Sequence, residues 1–210
     1  MPSTNTLLLS VCPQRNTTTA RCDLLTITAP LSGGGGGLDN NHPEAARAAR
    51  AELKKRKGIV LSARIHPGET NSSWMMKGVL DFLLSDAPKA ARLRELCVFK
   101  IIPMLNPDGV ICGNYRCSLA GVDLNRKWQH PDSVLTPTVY HTKAMIREFT
   151  EDREVLVYCD MHGHSRKHNV FCYGCRADQD KAGQLSKLRQ AGAAVVAGGG
   201  GGGGVDGGVE

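Results

Sequence analysis

The stretch "ARIHPGET", residues 63–70, sets an imidazole, His66, three residues ahead of a carboxylate, Glu69. It follows directly on the apolar run "GIVLSA". Two such donors on a turn leaving a buried strand could hold a divalent cation. The spacing alone says little. Seven His and eight Glu in 210 residues supply about 0.3 chance H-x-x-E pairs per chain of this composition. The simpler alternative is a turn shaped by Pro67 and Gly68, with Glu69 favouring the positive start of the next helix. Position raises the odds of a site. Another imidazole, His162, follows a second apolar run, "REVLVYCD". Two His and one carboxylate with an open fourth position make a catalytic zinc arrangement. Zinc so held polarises a carbonyl and lowers the pKa of its water to roughly 7. His164 and His168 compete with His162, which comes first after the strand. Asp160, two residues earlier, either orients a ligand from behind or is a plain strand-end polar residue.

The elements that must position these groups alternate. Residues 22–30, 58–63, 97–105 and 153–164 read as strands, the last ending in polar residues, and 168–175 as a further short one. Residues 42–57, 72–86, 88–96, a stretch starting near Pro137, and 178–196 read as helices, the second capped by Ser72. Trp74, Met75 and Met76 are expected in the core. Residues 32–41 form a glycine-rich flexible loop, and 106–128 a long segment with little period. Alternating strands and helices predict an α/β domain with a mostly parallel sheet. Ligands gather beyond the carboxyl ends of such strands. Three polar clusters follow three strands: His66 with Glu69, residues 106–126, and residues 160–164. They should converge on one edge.

Composition excludes several classes. Hydrophobic residues make up 41% and charged residues 22%, a globular balance. No apolar run approaches the ~20 residues of a membrane helix, and the start lacks the basic region of a signal peptide. We therefore expect no membrane partner and a cytoplasmic location. The eight cysteines fit reduced, mostly buried thiols; Cys172 and Cys175 form a C-x-x-C without a well-spaced second pair. The formal charge of +6 suits an acidic partner. With only 5% aromatic residues and no aromatic-interleaved basic stretch, nucleic acid is not expected.

The ordered motifs "HPGET", "NPDG", "GNYR", "DLNRKW" and "DMHGHS" resemble the zinc carboxypeptidases of the M14 family. The similarity is strongest to the cytosolic carboxypeptidase branch, whose members trim glutamates from tubulin tails. It implies an α/β/α domain with a mixed, largely parallel sheet. It implies a zinc cofactor held by His66, Glu69 and His162, and acidic carboxyl-terminal tails, tubulin-like ones included, as partners. Arg116 would polarise the scissile carbonyl, and Asn125 with Arg126 would bind the terminal carboxylate. A planar guanidinium matches a carboxylate bidentately. Without the resemblance, Arg116 reads as a surface loop residue and "DLNR" as a simple turn. A related amidohydrolase acting on small N-acyl amino acids fits less well.

One departure stands out. The resemblance implies a further Glu, downstream of the third ligand, that moves a proton between water and the leaving amine. Here the single Glu after His162 is Glu210, behind a run of glycines. The expected organisation is a lead-in over 1–21, a partial peptidase domain over 22–190, incomplete on its C-terminal side, and a glycine-rich tail over 191–210. The alternative function is a catalytically inactive fragment that binds zinc or acidic peptides.

Overall fold

The computed structural model describes residues 9–10, 14–15, 20–31 and 43–174. The loop at 32–41, the helix at 178–196 and the tail at 191–210 expected from the sequence lie outside the described residues.

The run "KGIVLSA" forms β5 (Lys57–Ala63), and Val60, Leu61, Ser62 and Ala63 are all buried. A strand covered on both faces reads as a near-continuous apolar run. Its neighbours are β6 (Cys97–Ile102) and β7 (Val155–Met161), both parallel to it. Beyond β6 lie β4 (Leu25–Ile27) and then β1 (Leu9–Ser10), each antiparallel to its neighbour, in the order β1-β4-β6-β5-β7. The sheet is thus mixed, with its long ladders parallel. β2 (Gln14–Arg15) and β3 (Arg21–Cys22) pair as a separate ribbon. The strand expected over 22–30 is therefore split between two sheets. Residues 168–174 contain no strand.

Alternation sorts the core into two halves. Val60, Val98, Ile102 and Tyr158 face α5 (Pro137–Asp152), which contributes Val139, Ile146 and Phe149. Leu61, Ala63, Phe99 and Ile101 pack with Met76 and Leu83 of α2 (Thr70–Leu84). The helix α3 (Pro88–Leu96) joins α2 to β6. The result is a three-layer α/β/α domain. An outlying helix, α1 (Pro43–Lys55), leads into β5. A short α4 (Pro107–Ile111) and a 3-10 turn (Leu124–Arg126) interrupt the long segment after β6.

Two expectations are corrected here. Helix α2 begins at Thr70, and Ser72 does not cap it. Its buried hydroxyl instead donates to the Glu69 carbonyl (2.8 Å) and accepts from the Arg64 amide (3.2 Å). Trp74 is 71% exposed; of the three large residues at 74–76, only Met76 enters the core.

Candidate metal centre

The chain runs from β5 to β6 on one side of β5, then returns to place β7 on the other. That is a switch point, where open α/β sheets bind ligands. β5 and β7 end in register, with Ala63 opposite Met161, so the segments that follow leave the sheet side by side. His162 comes one residue after β7. His66 comes three after β5, past Arg64, whose φ of 57° is a left-handed conformation uncommon for a non-glycine residue. The Arg64 side chain fixes that bend: Nε donates to the Pro67 carbonyl (2.7 Å) and Nη1 to Ser73 Oγ (2.8 Å).

These exits bring the predicted trio together. One ligand atom from each of His66, Glu69 and His162 lies within 4.8 Å of the others, and no further such group of His, Cys, Asp and Glu occurs among the described residues. The ring centroids of the two histidines are 4.9 Å apart. Glu69 sits between them, with Oε1 2.8 Å from His66 Nδ1 and Oε2 2.9 Å from His162 Nδ1. The Gly163 amide donates to Oε2 at 2.8 Å. Glu69 occupies the N-cap position of α2 but makes no side-chain cap bond. Its carboxylate is thus spent on the two imidazoles and the Gly163 amide rather than on a cap bond, while its place at the helix start stands.

Each imidazole meets a second carboxylate on its far nitrogen. His162 Nε2 lies 2.7 Å from Asp160 Oδ2, and His66 Nε2 lies 3.2 Å from Asp123 Oδ1. Asp160 thus lies behind the His162 ring, the arrangement that one of its two sequence readings expects. Asp123 was missed: it opens "DLNR", but nothing local in the sequence ties it to His66. Its other oxygen accepts from Arg116 Nε at 2.7 Å.

A ring whose Nε2–H is given to an aspartate turns the Nδ1 lone pair toward Glu69, which is also an acceptor. That contact is favourable only with positive charge between the two atoms, a proton or a cation. Burial pulls the His162 imidazole down, but hydrogen bonds to Asp160 and Glu69 outweigh this and raise it to about 9. Burial pushes the Glu69 carboxyl up, and hydrogen bonds from His162, His66 and the Gly163 amide overcome it, holding the group well below the usual carboxylate range. Asp123 is likewise lowered; Arg116 and His66 outweigh its desolvation. The donor set fits zinc: two imidazole nitrogens and one carboxylate, each ring backed by a hydrogen-bonded carboxylate that fixes its tautomer.

The other predicted residues border the trio. Gly68 donates its amide to the Tyr115 carbonyl (2.7 Å), clasping the His66–Glu69 turn to the loop that carries Arg116. A Cβ at Gly68 would meet that carbonyl at 2.8 Å and the Tyr115 ring at 2.6 Å, so the approach needs glycine. Asn106 ties the end of β6 to the same region, donating to the Ile65 carbonyl and accepting from the Gly109 amide. Asn125 is buried, and its Oδ1 accepts from Trp128 Nε1 at 3.1 Å, which leaves its amide N–H groups for another partner. Arg126 is exposed on the same turn. His164 stays outside the trio: its Nδ1 accepts the Arg166 and Lys167 amides and its ring packs on Phe171. His168 is exposed.

The zinc carboxypeptidase family, peptidase M14, matches residues 23–197. The chain is 54% identical over 158 residues to cytosolic carboxypeptidase 2 of Mus musculus, covering 75% of this chain and 16% of that protein. It is 54% identical over 156 residues to cytosolic carboxypeptidase 1 of Danio rerio, covering 73% of this chain and 12% of that protein. The chain thus matches less than a fifth of either relative's length. A metallo-carboxypeptidase from Burkholderia cenocepacia superposes with a TM-score of 0.65 at 25% identity, over 89% of this chain and 44% of that one. Matched by family model, by sequence and by fold, this chain belongs to the zinc carboxypeptidases of the M14 family.

Proposed function

We propose that the chain supplies the zinc-holding part of a metallocarboxypeptidase that removes carboxyl-terminal residues, glutamates from acidic protein tails such as those of tubulin. One observation carries the reading: His66 and His162 each lie between two carboxylates and share Glu69. His66, Glu69 and His162 would hold zinc, which when bound polarises a carbonyl and activates water. Asp123 and Asp160 keep the proton on each Nε2 and the Nδ1 lone pair aimed inward. Arg116, held by Asp123 at the rim, is the cation placed to stabilise negative charge on a substrate oxygen. Asn125 and Arg126 are the pair for a terminal carboxylate. The acidic-tail substrate rests on the relatives' similarity and on the basic residues Lys127, Arg166 and Lys167 nearby in sequence. A cytoplasmic location is part of the same proposal, supported by the relatives' designation as cytosolic.

A second reading is a module that binds zinc and acidic peptides without turnover. One observation favours it: among the described residues, every carboxylate of the centre is already engaged. Glu69 meets both rings, Asp123 meets His66 and Arg116, and Asp160 meets His162 and Ser62. None is left to carry a proton to a leaving amine. The deciding experiment incubates zinc-loaded protein with a peptide ending in several glutamates. Release of glutamate that stops with a chelator supports the hydrolase. Peptide binding without release, lost in Arg126→Ala, selects the module. In either case Glu69→Gln should lower zinc affinity more than the 10–100-fold typical of groups that only back a ligand.

A further inference from the structure

Behind His162 lies a polar chain built into the sheet, which the function above does not use. Ser62, Tyr158 and Asp160 lie on the α5 face of β5 and β7. Ser62 is the register partner of Asp160, and Val60 of Tyr158. All three are buried, Ser62 at 0% and Asp160 at 1% exposure. Ser62 Oγ donates to Asp160 Oδ1 at 2.6 Å. The same Oγ is 2.7 Å from the Tyr158 hydroxyl. Ser62 has one proton and spends it on Asp160, so Tyr158 must be the donor in that second bond. The order is therefore fixed: Tyr158 to Ser62, Ser62 to Asp160 Oδ1, and His162 Nε2–H to Asp160 Oδ2. The Trp128 ring stands edge-on against Tyr158, with centroids 5.7 Å apart. Trp128 is itself held by Asn125.

Hydroxyls inside an apolar strand pair need a reason. Filling the same space with Ala and Phe would cost no desolvation. These two instead lock a carboxylate that would otherwise be free to rotate about its last bond. We propose that Ser62 and Tyr158 are positioning residues for the metal: Ser62 pins Asp160 Oδ1, Tyr158 orients the Ser62 hydroxyl, and the carboxylate so held presents Oδ2 to fix the tautomer and ring plane of His162. This rests on the zinc-holding reading given above. His66 has no such arrangement, since Asp123 is shared with a rim arginine and is partly open to solvent.

The test compares zinc affinity, by competition with a chromogenic chelator, in the wild type, Ser62→Ala, Tyr158→Phe and a control, Ser118→Ala. Ser118 carries a buried hydroxyl that bonds nothing. A nitrogen-15 spectrum of the zinc-loaded protein reports the His162 tautomer. Ser62→Ala should weaken zinc about 10-fold or more and broaden or shift the His162 Nε2–H signal. Tyr158→Phe should do the same to a smaller degree, and Ser118→Ala should do neither. If Ser62→Ala does not fold, Tyr158→Phe decides, because it removes one oxygen and keeps the ring. Wild-type affinity and an unchanged His162 signal in the variants overturn the inference and leave the zinc site standing. A folded wild-type protein that binds no zinc overturns both.

Discussion

The two histidines are held by different kinds of structure. His162 leans on Asp160, which is buried and held by the Ser62 hydroxyl of the adjacent parallel strand, itself oriented by Tyr158. His66 leans on Asp123, whose side chain is 20% exposed and which sits on the loop that also ends in Asn125 and Arg126. Their Nε2 contacts, 2.7 and 3.2 Å, follow the same contrast. One side of the centre is fixed by the sheet. The other is fixed by a loop that carries the residues proposed to meet substrate. A metal held by both would tie those residues to a rigid frame, and substrate contacts could adjust on the loop side without moving His162.

The largest expected effect breaks this contrast on the sheet side. Asp160→Ala leaves the buried Ser62 hydroxyl and the His162 imidazole without their acceptor. Removing one partner of a buried ionic network costs about 3–5 kcal/mol. Asp123→Ala removes a partly exposed carboxylate, one of whose partners, Arg116, reaches water while His66 is buried, and should cost less, about 1–2 kcal/mol. Urea unfolding with a chelator present keeps metal linkage out of the comparison. Equal losses at the two positions would remove the distinction between a rigid and a yielding side.

The sequence shows the two sides unequally. The alternation of strands and helices gives the layers, because each apolar run is long enough to be recognised. His66, Glu69 and His162 are visible as strand-end donors. The pairing of His162 with Asp160 is visible too, two residues apart at one strand end. The bond between His66 and Asp123 is not, since it spans 57 positions and depends on how a loop without period folds back. Ser62 had a signal that could have been used. A small hydroxyl residue in the middle of "GIVLSA" must find a partner once buried. Tyr158, in "VLVYCD", carried the same hint. The splitting of residues 22–30 between two sheets has no local mark, and neither does the exposure of Trp74, which sits on a helix whose amphipathic stripe is narrow.

The next effect sharpens the contrast through two glycines. A methyl at Gly68 runs into a backbone carbonyl, that of Tyr115, as well as its ring, while the nearest atoms to one at Gly163 are those of the Asn71 side-chain amide. Both alanine variants should be destabilised by about 1–3 kcal/mol, the usual cost of overpacking. Their rescues should differ. Asn71→Ala should restore the stability of Gly163→Ala, because the obstacle is then gone. Tyr115→Ala should not restore Gly68→Ala, because the carbonyl remains. Thermal unfolding of the four single and two double variants measures this, and rescue at both positions would show that the loop can move away from the turn.

The smallest effect is chemical and leaves the structure intact. Cysteines are spread over both sides. Cys22 and Cys97 are buried against the sheet, and Cys112 is exposed in the long segment after β6. Burial, with a lesser contribution from Asp23, pushes the Cys22 thiol up to about 12; Cys97 is raised by burial as well. A thiol reacts as its thiolate. At pH 9 Cys22 would be ionised in only about one molecule in a thousand, and its sulfur, which donates to the Met104 carbonyl, is also shielded from reagent. Alkylation with iodoacetamide followed by peptide mass mapping should label Cys112 readily and leave Cys22 and Cys97 unmodified between pH 7 and 9. Labelling at those two should begin only when urea opens the fold. If Cys97, on β6, were labelled in native protein as fast as Cys112, the sheet side would be opening on the timescale of the reaction. A sheet that opens so readily could not serve as the fixed frame for His162.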